Sequence, residues 1–178
     1  FFEALALVKK ACAMTNKKIG RLPAKIAEAI ILAADEVIKE KHRDQFSLNF
    51  LQGGAGTSIN MNVNEVLAGR ATEILKNKIS VHALDHVNLG QSTNDAVPTA
   101  FRILMLQKIN QYLIELKKLE KEFGKKSREF WKIIKVGRTH LQDAVPVRLG
   151  QEFKAYQSFV KRDIKRLEEV KNYLREVN

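Results

Sequence analysis

Three short polar stretches hold most of the residues able to do chemistry. The first, "QGGAGTSINMNVNE" (52–65), runs from glycines 53, 54 and 56 through Thr57 and Ser58 to Asn60, Asn62 and Asn64. The second, "DHVNLGQSTNDAVP" (85–98), sets Ser92, Thr93 and Asn94 just ahead of a segment bearing Pro98. The third, "GRTHLQDAVP" (137–146), places Arg138, Thr139 and His140 side by side. Glycines let a backbone approach a ligand or adopt positive φ. Short hydroxyls at the start of a helix stand where free N–H groups and the dipole favour an anion. Histidine exchanges protons near neutral pH. Together these groups suit the holding of a small carboxylate and the stabilisation of charge developing on it.

A plainer reading stands beside each. Thr57, Ser58 and Ser92 can serve as helix N-caps, and Asp95 as a first-turn acid. Asn60 and Asn64, one turn apart, can simply line a helix face, Arg138 can pair with Asp143, and a lone histidine can be structural. Other chemistries find less support. The four histidines lack metal-ligand spacing with Cys or carboxylates, so no metal or cofactor is expected. "GGAGTS" has no lysine in the phosphate-loop position, and there is no nucleophile elbow, although spacing alone leaves a Ser, His and Asp triad open.

The elements that must position these loops read almost entirely as helix. Phe1, Leu5, Val8 and Cys12 mark one buried stripe, and Pro23 opens a second helix whose apolar face is Ile26, Ile30, Ala33 and Val37, ending near Lys41. "QFSLNFL" (45–51) alternates like a strand. A third helix is predicted from about Ser58 to Lys78. From Thr93 to Phe123 only Pro98 interrupts, in a first turn where proline is tolerated. Met105, Ile109, Tyr112, Leu116, Leu119 and Phe123 form a heptad seam, and Gly124 is predicted to end that helix. A short helix around Trp131, a polar loop "KVGRTHLQDAVPVR" and a last helix over 149–177 follow. In that last helix Phe153, Tyr156, Val160, Ile164 and Leu167 face inward. The expected fold class is all-α, with the two long helices roughly antiparallel. Twenty-eight helical residues span roughly 42 Å, about the diameter of a compact chain of this length. Helices that long, with Ile103, Leu104, Leu106 and Leu113 outside the seam, call for more neighbours than one short chain supplies.

Composition bounds the rest. The 178 residues are 45% hydrophobic, enough for one domain or two small ones. Cys12 is the single cysteine, which excludes an internal disulfide and fits a reducing, cytoplasmic setting. The longest apolar run, "AIILAA", is far short of the roughly 20 residues a membrane span needs, and no signal peptide is visible. The net charge is +11. Its basic residues are mixed with Glu along helical faces, and solvated faces explain it better than nucleic acid does. Neither a nucleic-acid nor a membrane partner is expected. Because the sequence opens on Phe1, it is expected to be a piece of a longer chain.

"GGAGTSINMNVNE", "DHVNLGQSTNDAVPTAFRI" and "GRTHLQDAVPVRLGQEF" closely resemble, in order and spacing, three consecutive blocks of the aspartase/fumarase superfamily of lyases. The resemblance covers all 178 residues. "GGAGTS" and "QSTNDA" look like the ammonia-lyase branch, aspartate ammonia-lyase, whereas class II fumarases typically carry serine at the place of Ala55 and "QSSND". The resemblance implies an N-terminal, mostly helical domain (1–90) followed by the first two long helices of a central bundle (91–178). It implies removal of ammonia from L-aspartate to give fumarate through an enediolate-like intermediate, with no cofactor, in a homotetramer whose sites draw loops from three subunits. On that model Thr57, Ser92 and Thr93 clasp the β-carboxylate, Asn60 supports them, Asn94 and His140 lie near the amino group, and Thr139 lies near the α-carboxylate. The family's general base, a serine on a "GSSxMPxKxN" loop, would lie beyond Asn178, so the isolated piece is expected to be inactive. Where many relatives read "HPNDHVN" this chain has "HALDHVN", so Ala83 and Leu84 depart from the pattern with which fumarases form an accessory anion site there with His82 and Asp85. Class II fumarate hydratase is the near alternative, and a non-catalytic helical assembly module the distant one.

Overall fold

The computed structural model describes residues 1–49, 51 and 54–177, so Gly53 lies outside the described residues. The chain forms two compact units, one built on Phe1–Leu104 and the other on Met105–Glu176. Helices dominate both. No described helix is long and apolar enough to cross a membrane.

In the first unit, α1 (Phe2–Lys18) and α2 (Ala24–Ile38) run antiparallel. Lys10 pairs with Asp35 at 2.6 Å, and Lys17 pairs with Glu28 at 2.6 Å. Pro23 stands at the N-cap of α2, as its missing N–H allows. Ile26, Ile30, Ala33 and Val37 are all buried, as their spacing predicts. α3 (Thr57–Ile74) packs on both helices through Ile59, Val63, Leu67 and Ala71. Its end falls before the expected Lys78, because Lys76 and Asn77 take positive φ of 55° and 56°. Full burial of Leu5, Ile30 and Leu67 contributes about 1.5–3 kcal/mol each. The many alanines let the helix backbones approach closely.

Between α2 and α3, Glu36 receives two hydrogen bonds from Arg70, at 2.7 and 3.0 Å, and lies 2.7 Å from His42 Nε2. The Arg70 guanidinium and then His42 hold the Glu36 carboxyl at about 2. The segment 45–51 is not the strand its alternation suggests: its described residues follow a 3-10 turn (Arg43–Gln45) and stay irregular. Phe46 stacks on Phe2 with ring centroids 4.4 Å apart, so its apolar surface is used by an aromatic contact rather than by a sheet. The α1 stripe also differs from expectation. Leu5 is buried, but Phe1, Val8 and Cys12 are only half-buried, and the deepest line is Leu5, Lys9, Ala13 and Asn16. The reason is polar, and it belongs to the site described below.

α4 (Thr93–Glu129) begins in the first unit and continues through the second. Gly124 does not end it. A β-carbon there would lie 2.6 Å from the Gln157 amide nitrogen, so this glycine serves close helix approach rather than a cap. α5 (Leu149–Leu174) returns antiparallel to α4: Ser127 Oγ donates to the Gly150 carbonyl, and Gln157 donates to Glu120. Phe123, Phe130, Phe153 and Tyr156 gather with centroids 5.2–6.2 Å apart. Around Trp131 there is a turn and no helix. The presumed polar loop is an antiparallel hairpin, β1 (Ile134–Thr139) with β2 (Gln142–Arg148). It is the two-stranded exception in an all-α fold.

The heptad seam is rotated from its expected line. Ile109, Leu113 and Leu116 are buried, whereas Met105, Tyr112 and Leu119 stay exposed, as does Tyr156 on α5. A pair of helices has one interface. α4 carries apolar residues on a wider arc than that interface covers, so the second line faces outward.

Candidate functional site

The polar groups of the first unit converge on one side chain, Asn88. It lies beyond a π-helical turn (Ala83–Val87), in the loop leading to α4. Three donors meet its Oδ1: Lys9 Nζ at 2.8 Å, Asn60 Nδ2 at 3.2 Å and Asn64 Nδ2 at 3.2 Å. Its own Nδ2 donates to the Gln91 carbonyl at 3.0 Å, and Gln91 Oε1 accepts from Lys9 at 3.0 Å. Asn16 ties the loop further by donating to the Leu89 carbonyl at 2.9 Å. An unpaired buried amide costs about 1–3 kcal/mol. These bonds satisfy the side-chain nitrogens of Asn60 and Asn64, which are buried on the same face of α3 as Val63 and Leu67.

Lys9, like Asn64, is fully buried. Among the described residues it forms no ion pair, and its partners are neutral amides. Burial lowers its ammonium to about 8, and the influence of Cys12 one turn away opposes that shift. Burial in turn pushes the Cys12 thiol up. Sequence reasoning passed over Lys9 because "KK" reads as a solvated pair, whereas Lys10 is half-buried against Asp35 and Lys9 is enclosed. The available signal was its place in the apolar stripe, four residues from both Leu5 and Ala13.

From this cluster one bond reaches a predicted site residue. Asn60 Nδ2 donates to Thr93 Oγ1 at 3.2 Å. With that oxygen accepting, the Thr93 hydroxyl proton is directed to another acceptor. Ser92 beside it does cap, its Oγ accepting from the Asn94 N–H at 3.1 Å. Thr57 and Ser58 do not cap, since the N-cap of α3 is Gly56, which has φ of 78° and no side chain. A β-carbon on Gly56 would also stand 2.8 Å from Val97 Cγ1, so the first turns of α3 and α4 lie against each other. Thr57, Ser92 and Asn94 are exposed at these two helix starts, with Thr93 half-buried. The structure thus brings Asn60, Thr93 and their neighbours together. Among the described residues, the Oδ1 atoms of Asn60 and Asn64 are buried without a hydrogen-bond partner.

Thr139 and His140 belong to the second unit, at the tip of the hairpin. Thr139 pairs with Gln142, leaving His140 and Leu141 as a two-residue turn with φ of 47° and 61°. Both signs fit a type I′ turn, which non-glycine residues adopt at some cost. Arg138 pairs with Asp143 at 2.7 Å and donates to the Leu141 carbonyl, which is the structural role its spacing allowed. At the altered "HALDHVN" segment, His82 Nδ1 accepts from the Asp85 N–H and lies 3.0 Å from its carboxylate.

A family model described as Lyase matches residues 2–178. Aspartate ammonia-lyase of Bacillus subtilis is 49% identical over 180 residues, covering 99% of this chain and 38% of the relative. Class II fumarate hydratase of Halobacterium salinarum is 48% identical, covering 99% of this chain and 38% of its own length. Among solved structures, a fumarate lyase:delta crystallin from Brucella melitensis superposes with a TM-score of 0.88 at 48% identity, covering 99% of this chain and 42% of that chain. Class II fumarase from Schistosoma mansoni gives a TM-score of 0.86 at 38% identity, covering 98% of this chain and 38% of that chain. The chain therefore spans less than half the length of these relatives.

Proposed function

The chain belongs to the lyase family, and on that premise we propose that the full-length protein is an aspartate ammonia-lyase. The observation that carries this reading is the Asn60 to Thr93 hydrogen bond, which leaves a hydroxyl proton free for a carboxylate at the start of α4. Thr57, Ser92 and Thr93 bind the β-carboxylate of L-aspartate, with Asn60 holding Thr93. Asn94 and His140 attend the amino group, and Thr139 the α-carboxylate. A base takes the proton from Cβ, and the electron pair moves onto the β-carboxylate as an enediolate. Collapse of that enediolate forms the carbon–carbon double bond and expels ammonia from Cα, leaving fumarate. Hydroxyls and helix N-termini aimed at the β-carboxylate stabilise the charge where it accumulates. The base is assigned, on the family resemblance, to a serine outside residues 1–178.

Residues 1–90 make the N-terminal domain on this reading, and residues 91–178 the first long helices of a central bundle. The exposed apolar line of Met105, Tyr112 and Leu119 on α4, with Phe159 and Tyr173 on α5, supports self-association. The homotetramer and its cytoplasmic setting are assigned on the family resemblance. Similarity to a class II fumarate hydratase keeps malate as the competing substrate. Assay of the full-length protein with L-aspartate and with L-malate decides between them. Fumarate is expected to form much faster from aspartate, and faster formation from malate would reverse the assignment.

A further inference from the structure

A lysine buried among amides is a poor way to gain stability. Removing an ammonium from water costs several kcal/mol, and neutral acceptors return less of it than a carboxylate would. Lys9 nonetheless sits fully buried, with Asn88 and Gln91 as its hydrogen-bond partners. Its geometry shows what the arrangement accomplishes. A carboxamide can sit either way round unless its partners decide. An ammonium has only donors, so Lys9 fixes Asn88 with its oxygen toward α1 and α3 and its nitrogen toward the Gln91 carbonyl. That oxygen in turn fixes Asn60 with its nitrogen toward Asn88. The same nitrogen also reaches Thr93 Oγ1. Had Asn60 turned its oxygen to Thr93 instead, the hydroxyl proton would be spent on Asn60.

We propose that Lys9 is a positioning residue for the reaction, acting through Asn88 and Asn60 to keep the Thr93 hydroxyl proton available to the substrate carboxylate. Lys9 itself touches no reacting atom. The inference rests on the carboxylate role assigned to Thr93 and extends it to a residue on α1. Lys9 is enclosed in the fold rather than reaching solvent, and that burial lowers its ammonium to about 8.

The test is a double-mutant cycle in the full-length protein, read as kcat and KM for L-aspartate. Thr93→Val alone is expected to lower kcat about 100-fold. Lys9→Met alone is expected to lower it roughly 10- to 100-fold, the size of loss found when the partner behind a metal ligand is removed, with KM changed only a few-fold. Combined, the two should be no slower than Thr93→Val alone, because Lys9 has nothing left to position. A double variant slower by the product of the two losses would show that Lys9 acts elsewhere, and would overturn the proposal while leaving Thr93 in its role. A Lys9→Met enzyme with wild-type kcat would do the same. If Thr93→Val turned over normally, the carboxylate reading would fail and this inference with it. Should Lys9→Met not fold, Asn88→Ala breaks the same relay and takes its place in the cycle, with the same expectations.

Discussion

Two regions carry the candidate site residues, and they hold them by opposite means. Around Asn88 the polar groups are enclosed, and each bond constrains the next until Thr93 is reached. At the hairpin tip, Thr139 and His140 are exposed, and Arg138 is held by a surface ion pair and a turn carbonyl. The first region is organised by the interior of its own unit. The second is a short hairpin whose turn residues, His140 and Leu141, both take strained positive φ. The contrast shows two ways of holding polar side chains, one through an enclosed chain of hydrogen bonds and one on a strained surface turn.

Perturbing each region sharpens the contrast. Thr93→Val in the full-length protein should give the largest effect, a loss of about 3 kcal/mol of transition-state stabilisation. Steady-state turnover within a few-fold of wild type would remove Thr93 from the clasp. Next comes pH. The folded pKa of Lys9, about 8, lies below its ordinary 10.5. Between these values the unfolded chain binds the extra proton, so stability rises as pH climbs through that window. Denaturant titrations from pH 8 to 10.5 should show wild type gaining up to about 3 kcal/mol relative to Lys9→Met. Parallel curves would contradict an enclosed ammonium. Gly56→Ala should cost about 2 kcal/mol from its positive φ alone, with the Val97 contact adding to it, as read from the midpoint of chemical unfolding. The hairpin responds least and in the other direction. Leu141→Gly relieves a φ of 61° and should raise stability by about 1 kcal/mol or less. A measurable loss would mean that the Leu141 side chain is held by something else.

Much of the framework was legible because it rests on periodicity. Ile26, Ile30, Ala33 and Val37 repeat as a buried helical face must, and Pro23 announces their start. The misreadings all lie where a residue does something other than its usual work. Gly124 reads as a stop signal, yet it makes room for Gln157. "VGRTHLQDAVPVR" lacks glycine or asparagine at its turn, so its hairpin is invisible to turn chemistry. The seam of α4 was misplaced because two apolar lines share one helix, and sequence does not say which line meets α5. At the site, Thr57, Ser92 and Thr93 announced themselves as hydroxyls near helix starts. Asn88 and Lys9 did not, since each owes its role to partners far away in sequence.

That sequence distance has a consequence for the newly made chain. Asn88 follows Lys9 by 79 residues. At typical synthesis rates of about 5–20 residues per second, the lysine leaves the ribosome roughly 4–16 seconds before its acceptor. Through that interval α1 and α2 can pair through their alanines, but Lys9 must keep its ammonium hydrated. The helix pair therefore cannot close over it in final form until the loop before α4 has emerged. Completion of the first unit waits on the segment just ahead of α4.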